Sequence, residues 1–309
     1  MPLNAKLRAA LAAGLIIAGA PSARAHDSDA ATGARHGASD EADDFETKHL
    51  FGFTEGTDIG DVGEKELEFE TTSSIGKFGG GRYNGLEQLA SYEAAPVARL
   101  GYELSFHGLS QQIANVPGLQ TLSQTNFSGV SLEPKWIFLT RGVDAPFGLA
   151  VSINPEWDRI DPVLGVHASN FVLPVRVYID SELIPQKLYF AANLLYSPEV
   201  DNQQGYGVSH YALAGASAAL SYRITPKVTF GGEVEYYEAY NSLGFSSWAG
   251  SGVYIGPTFH FQITDKAFVA GAWSVQVANK IPAGAEGLAA YNQSDFSAQR
   301  GRLTFAIGF

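Results

Sequence analysis

The last nine residues of the chain, Gly301 to Phe309, read G-R-L-T-F-A-I-G-F. Leu303, Phe305, Ile307 and Phe309 fall on one face of an extended strand, and the residues between them fall on the other. Because successive side chains of a strand point to opposite faces, one face can meet lipid while the other meets water or a packed interior. The pattern predicts a strand of a transmembrane β-barrel.

The opposite end of the chain has the features of an export signal. Lys6 and Arg8 precede an apolar stretch, Ala9 to Ala20, and the small-residue triplet Ala23-Arg24-Ala25 follows. This order of charged, apolar and small residues is typical of a secretory signal peptide, so we expect residues 1–25 to be removed. No later segment supplies the roughly 20 continuous apolar residues of a spanning helix.

The overall charge excludes one class of partner. Residues 1–25 contain three basic residues and no acid, so their removal leaves 17 basic against 32 acidic residues, a net charge of −15. Such an acidic chain is not expected to bind nucleic acid. The chain has no cysteine, which rules out disulfides and thiol chemistry.

Residues 65–309 divide into twelve candidate strands, most of them long enough to cross a bilayer. The predicted fold is all-β: an antiparallel up-and-down transmembrane barrel of about twelve strands, preceded by a disordered acidic segment. The candidate strands cover residues 65–76, 86–95, 97–109, 127–140, 147–157, 168–180, 186–197, 209–223, 227–239, 250–263, 266–278 and 298–309.

The connections between these strands alternate in length. Every second strand ends in a short turn, and the intervening connections are longer, with 279–297 the longest. Short turns on one side and long loops on the other are typical of bacterial barrels, whose short turns are periplasmic. We therefore expect both termini in the periplasm. A soluble lipocalin-like barrel or sandwich is the alternative, but its strands are usually shorter and its turns are not segregated by length.

The faces opposite the apolar side chains predict a charged lumen in which acids outnumber bases. Buried charges must be paired or hydrated, so these residues either form a ladder of interior salt bridges or line a path favouring cations or neutral solutes; the two are compatible. The pore candidates are Glu68, Arg99, Glu103, Glu133, Lys135, Glu156, Arg176, Arg223, Glu233, Glu235 and Arg302.

Residues 26–64 form a periplasmic tail or plug segment. Residues 26–48 are acidic and rich in small residues, which predicts disorder. The following residues, His49 to Gly56, bring aromatics and glycines. They either dock in the periplasmic mouth of the barrel or pack beside the first strand.

Metal and enzyme chemistry are not expected. His26, His36 and His49 lie among acids, but their spacing matches no defined metal motif. Outer-membrane phospholipases use a Ser and a His two residues apart, as are Ser105 and His107 here. In that family the pair faces lipid, whereas here it falls on the predicted lumen side. We therefore predict no catalytic residues, no metal and no cofactor.

The alternation over residues 65–309 resembles Gram-negative outer-membrane barrels, and Arg302 to Phe309 resembles their C-terminal signal. The resemblance implies that Phe305, Ile307 and Phe309 are the signal read by the barrel-assembly machinery, and that outer-membrane lipid surrounds the protein. The chain is more loosely similar to outer-membrane channels of the phenol-degradation MetA type, which implies uptake of small solutes but identifies no contact residues.

These observations predict a monomeric outer-membrane barrel that passes small solutes, cations or neutral molecules, through a narrow acid-rich lumen. The alternative is a non-conducting barrel acting as a surface receptor or structural component. A lipid-modifying enzyme is the third possibility.

Overall fold

The computed structural model describes residues 46–77, 79–142, 145–203, 207–282 and 296–309. The predicted signal peptide, the tail up to residue 45, His26 and His36, and most of the 279–297 loop lie outside the described residues. Within those described, no helix is long and apolar enough to cross a membrane.

All regular structure in the described part of the chain is antiparallel β. The strands are β1 (Lys65–Ile75), β2 (Arg82–Val97), β3 (Leu100–Ala114), β4 (Leu122–Leu139), β5 (Gly148–Ile153), β6 (Glu156–Ile160), β7 (His167–Val172), β8 (Val175–Ile184), β9 (Leu188–Gln203), β10 (Gly207–Thr225), β11 (Val228–Tyr240), β12 (Trp248–Thr264), β13 (Ala267–Lys280) and β14 (Gln299–Gly308).

The sheet closes into a barrel of twelve spanning strands, as predicted. β14 pairs with both β13 and β1, and the terminal Phe309 amide donates to the Lys65 carbonyl at 2.9 Å. β5 and β6 together make one spanning strand, and β7 and β8 make the next, because each pair occupies one position between β4 and β9.

Two prolines coincide with these interruptions, which the sequence interpretation did not foresee. Pro155 lies between β5 and β6, and Pro174 lies between β7 and β8. A proline has no backbone N–H to donate to the ladder. Their carbonyls still accept: Leu132 donates to Pro155, and Asn154 donates to Pro174 at 2.8 Å. The wall therefore stays continuous across both breaks.

One loop assignment needs correction. The sequence interpretation treated residues 198–208 as a long connection, but β9 continues to Gln203 and β10 begins at Gly207. Glu199 and Asp201 of this stretch both lie in the β9–β10 ladder. The β9–β10 hairpin therefore stays paired up to Gln203 and Gly207.

The facing of the strands agrees with the alternation in the sequence. In β14, Leu303, Phe305 and Ile307 are exposed, whereas Thr304 and Ala306 between them are buried. The same alternation exposes Leu104 and Phe106 of β3. The apolar side chains therefore form the outer surface and the polar ones face the lumen.

Candidate functional site

The lumen is occupied by residues 46–59, which we call the inner segment. Its hydrogen-bond and ion-pair partners come from strands all round the ring. They are Glu68 of β1, Glu93 of β2, Glu103 of β3, Lys135 of β4, Arg176 and Asp180 of β8, Asn193 of β9, Ser217 and Ser221 of β10, Glu233 of β11 and Arg302 of β14. A segment bound from every side lies within the barrel.

A tight turn at the tip of the inner segment is held by one carboxylate. Phe51 and Thr54 form an antiparallel bridge, and Gly52 between them has φ of +93°, a left-handed conformation that glycine adopts without strain. The amides of Phe53 and Thr54 both donate to Glu233 Oε2, at 3.0 and 2.9 Å. Glu233 thereby accepts hydrogen bonds from two backbone amides that have no partner in a strand ladder.

Beside this turn, two apolar residues anchor the segment. Leu50 and Phe51 are fully buried against Tyr189, Ala191 and Ala219 of the wall. Among the described residues, this cluster is the apolar contact between the turn and the lumen face. Polar groups surround it. Most of the remaining attachment is therefore made by hydrogen bonds and charges.

Glu55 forms the central ion pairs of the lumen. Its Oε1 lies 3.2 Å from Arg176 Nη1 and 3.3 Å from Arg302 Nη1, and its backbone exchanges two 2.8 Å hydrogen bonds with the Asn193 side chain. Burial alone would raise the pKa of the Glu55 carboxyl, but the two guanidinium groups outweigh it and hold this pKa well below its usual range. Glu55 is therefore charged.

A second charged group joins the two ends of the inner segment to a turn of the barrel. Arg141 lies 3.1 Å from Asp58 and 2.8 Å from Asp180. The Asp180 carboxylate accepts hydrogen bonds from Thr57 N and Thr47 Oγ1, at 2.9 and 2.5 Å. Neither Arg141 nor Asp180 is among the predicted pore candidates, and Arg141 lies in a stretch that the sequence predicts as a short turn.

Lys48 and His49 meet a cluster of wall glutamates. Lys48 pairs with Glu93 and Glu103. Burial would lower the Lys48 pKa, but these two carboxylates raise it well above its ordinary value, so Lys48 stays charged. His49 Nε2 lies 3.2 Å from Glu68, yet burial first, and then the Lys48 charge, lower the pKa of His49 well below its ordinary value.

Most of the predicted pore residues lie on the lumen face. Lys135 donates to the Gly56 carbonyl at 2.7 Å, Glu133 accepts from Tyr178 at 2.7 Å, and Glu235 pairs with Arg300 at 3.1 Å. Arg223 lies on the inner face close to a short turn, where it donates to Pro226. Arg99 was predicted as a pore residue, and this prediction is wrong. It is exposed in the turn between β2 and β3, because β3 begins at Leu100 and not at Val97.

The Ser105 and His107 side chains do not hydrogen-bond to each other. Ser105 Oγ bonds Ser91 Oγ at 2.8 Å and donates to Glu103 at 2.9 Å. His107 Nε2 instead pairs with Ser131 Oγ at 3.0 Å. The geometry gives no support to the pair as a nucleophile and its base.

Two groups of side chains in the described residues have the composition of a metal site. His49 lies with Glu66, Glu68 and Glu93, and His107 lies with Glu87 and Glu156. In each group the candidate ligand atoms are within 4.8 Å of one another. The residues of each group are distant along the chain, so no sequence motif indicates either group.

The closed antiparallel ring, its apolar outer surface and its charged lumen define a transmembrane β-barrel with the fold of outer-membrane channels. Within that class, the chain belongs to the family described as "Family of unknown function (DUF6662)", which matches residues 43–305. No curated protein matches the sequence.

Several solved structures have a similar fold. The COG4313 outer membrane channel from Pseudomonas putida F1 is 12% identical, with a TM-score of 0.55 over 82% of this chain and 98% of that one. The NanC porin is 10% identical, with a TM-score of 0.46 over 78% and 98% of the two chains. The KdgM porin, in complex with disordered oligogalacturonate, is 10% identical, with a TM-score of 0.42 over 80% and 99%. At these identities the likeness concerns the fold alone.

Proposed function

We propose that this protein is a gated outer-membrane channel for small solutes, and that the inner segment is its plug. The observation that carries the proposal is the chemistry of the attachment. The segment is held in a charged lumen mainly by hydrogen bonds and ion pairs, including those of Glu55, Asp58 and Lys48. Water can replace such contacts, so the segment is able to leave without exposing a large apolar core.

The proposal includes an orientation and a solute class. By analogy with bacterial barrels, both termini and the short turns lie in the periplasm, the protein is a monomer in the outer membrane, and the inner segment enters the barrel from the periplasmic side. When the plug leaves, Lys48, Glu55 and Asp58 leave with it. The pore candidates other than Arg99 are then six glutamates against four bases: Glu68, Glu103, Glu133, Glu156, Glu233 and Glu235 against Lys135, Arg176, Arg223 and Arg302. The open lumen would then favour cations or neutral solutes over anions.

A reversible cross-link tests the gate directly. Thr54 Oγ1 of the plug lies 3.0 Å from Ser217 Oγ of the wall, and the chain contains no cysteine. Thr54→Cys with Ser217→Cys would therefore introduce the only thiols, at positions close enough for a disulfide. Conductance of the mature protein in planar bilayers would be recorded in oxidant and again after a reductant.

The oxidised double variant is expected to be silent, and reduction is expected to restore wild-type currents. Each single variant serves as a control and should conduct in both conditions. Equal currents from the oxidised and reduced double variant would refute the plug as the gate. The salt-gradient reversal potential of the open state would test the preference for cations.

A second function is favoured by the same extensive attachment. A plug bound from every side also suits a non-conducting barrel whose long loops act as a receptor or structural surface. Deleting residues 26–59 separates the two functions, with deletion of 26–44 as the matched control that leaves the plug in place. A folded, inserted barrel that stays silent after the longer deletion would favour the non-conducting role.

A further inference from the structure

We propose that the lumen wall holds one divalent cation between His107, Glu87 and Glu156, beside Asp158 and away from the plug. His107 Nδ1 lies 3.5 Å from Asp158 Oδ1 and 3.6 Å from Glu156 Oε1. Glu87 completes the group, since its carboxylate lies within 4.8 Å of the His107 and Glu156 ligand atoms. Imidazole nitrogen with carboxylate oxygens is a ligand set for Mn²⁺, Fe²⁺ or Zn²⁺.

The register of the wall builds this group. His107 of β3 pairs with Gly129 of β4, and Gly129 pairs with Asp158 of β6, so the three lie in one row. The outer two strands are about 10 Å apart at the usual strand spacing. Their side chains meet only because the middle residue is glycine: a Cβ at Gly129 would collide with Asp158 Oδ1.

The histidine is oriented as a ligand. His107 Nε2 bonds the Ser131 hydroxyl at 3.0 Å, so the other ring nitrogen, Nδ1, faces the carboxylates. A hydrogen bond that fixes one ring nitrogen while the other faces a cation is the usual support of a metal-bound histidine. His107 Nδ1 and Asp158 Oδ1 are both fully buried and have no hydrogen-bond partner.

The His107 distances do not fit a hydrogen bond from a protonated imidazole. A protonated His107 would donate to a carboxylate at about 2.7–2.9 Å, whereas both distances are near 3.6 Å. Among the described residues, no lysine or arginine forms an ion pair with Glu87, Glu156 or Asp158. A divalent ion bound at about 2.0–2.2 Å from each ligand would satisfy His107, Glu87 and Glu156, and its charge would also compensate the neighbouring Asp158.

The His49 group has the same composition but a weaker case. Lys48 already supplies a positive charge there, through its ion pairs with Glu93 and Glu103. A second cation beside this ammonium would be repelled. The His49 group is therefore the natural internal control for the His107 site.

Mn²⁺ binding to the refolded mature protein in detergent tests the site, independently of any conductance. Loss of the free Mn²⁺ resonance in electron paramagnetic resonance should report one ion per chain, displaced by Zn²⁺. Pulsed measurements on the wild type should show ¹⁴N coupling from a coordinated imidazole. His107→Gln and Glu156→Gln should weaken binding by tenfold or more, and His49→Gln should not.

Each variant is first checked for folding by its heat-modifiable electrophoretic mobility. The proposal is overturned if the wild type binds no Mn²⁺ or shows no ¹⁴N coupling. It also fails if His49→Gln abolishes binding while His107→Gln does not. Labelling of Ser131 by a fluorophosphonate, with esterase activity lost in Ser131→Ala, would instead make Ser131, His107 and Asp158 a hydrolytic group and reject the metal site.

Discussion

The ion pairs of Glu55 should control how often the plug leaves the lumen. Glu55→Gln keeps the size of the side chain and its backbone bonds to Asn193, but removes the charge that faces Arg176 and Arg302. Breaking a buried ion pair by removing one partner costs about 3–5 kcal/mol. The glutamine oxygen can still accept one hydrogen bond, so we expect a net loss of about 2–4 kcal/mol.

That loss acts on the equilibrium between the docked plug and the open lumen. At about 1.4 kcal/mol per tenfold change, the ratio of open to closed channels should rise by about 30-fold to about 700-fold. Single-channel recording measures this ratio as the open probability. Hydrogen exchange gives a second readout, because the amides of Phe53 and Thr54 are protected only while they are bound to Glu233.

Glu64→Gln is the matched control. It makes the same charge change in the same stretch of chain, but Glu64 is exposed and its hydrogen bond is to the nearby Asp61 amide. The control should behave as wild type in both assays. The view that these ion pairs hold the plug would be refuted by a folded Glu55→Gln barrel that matches wild type in open probability and in amide hydrogen exchange.

Three further outcomes are expected. Because the Glu55 pKa is depressed in the docked state, its ion pairs stabilise the docked plug fully above the ordinary glutamate pKa of about 4.3, and this stabilisation is lost as pH falls towards the depressed value. The open probability should therefore rise below about pH 4, and it should rise less in Glu55→Gln. An equal rise in the two proteins would exclude Glu55 as the source of the pH dependence. Phe259→Arg should cost about 2–4 kcal/mol of unfolding free energy in lipid vesicles if this exposed side chain faces the membrane midplane, and unchanged stability would contradict that facing. Arg99→Gln should leave the reversal potential of the channel unchanged, because Arg99 is exposed in a turn. A shifted reversal potential would show that Arg99 lines the pore.

The barrel itself was predictable because its signals are local. A two-residue period fixes the facing of each strand, so Leu303 and Phe305 could be placed outside from nine residues of sequence. The short turns were located less well, since Arg99 was predicted in a strand and lies in a turn. The strands predicted over 147–157 and 168–180 run through Pro155 and Pro174, and the sequence alone did not show that the ladder is interrupted at these two prolines.

The attachment of the plug was not predictable, because its contacts join distant parts of the chain. Glu55 meets Arg176 and Arg302 across 121 and 247 residues, and neither separation carries a sequence pattern. The His107 group has the same difficulty, since it depends on a register in which Gly129 faces Asp158. A glycine in a strand is a weak signal until the neighbouring strands are known.

The distribution of charge favours a removable plug over a permanent core. Lys48 meets Glu93 and Glu103, Glu55 meets Arg176 and Arg302, and Asp58 meets Arg141. Each of these three plug charges thus has opposite charges on the wall, so docking requires one register and misplacement is penalised. A plug that only filled space would be stabilised as well by apolar residues, since replacing buried ion pairs with packed hydrophobic groups is often neutral or stabilising. Ion pairs make docking specific, and after release water can hydrate the charged groups of both the plug and the lumen wall. A gate in an aqueous lumen requires both properties.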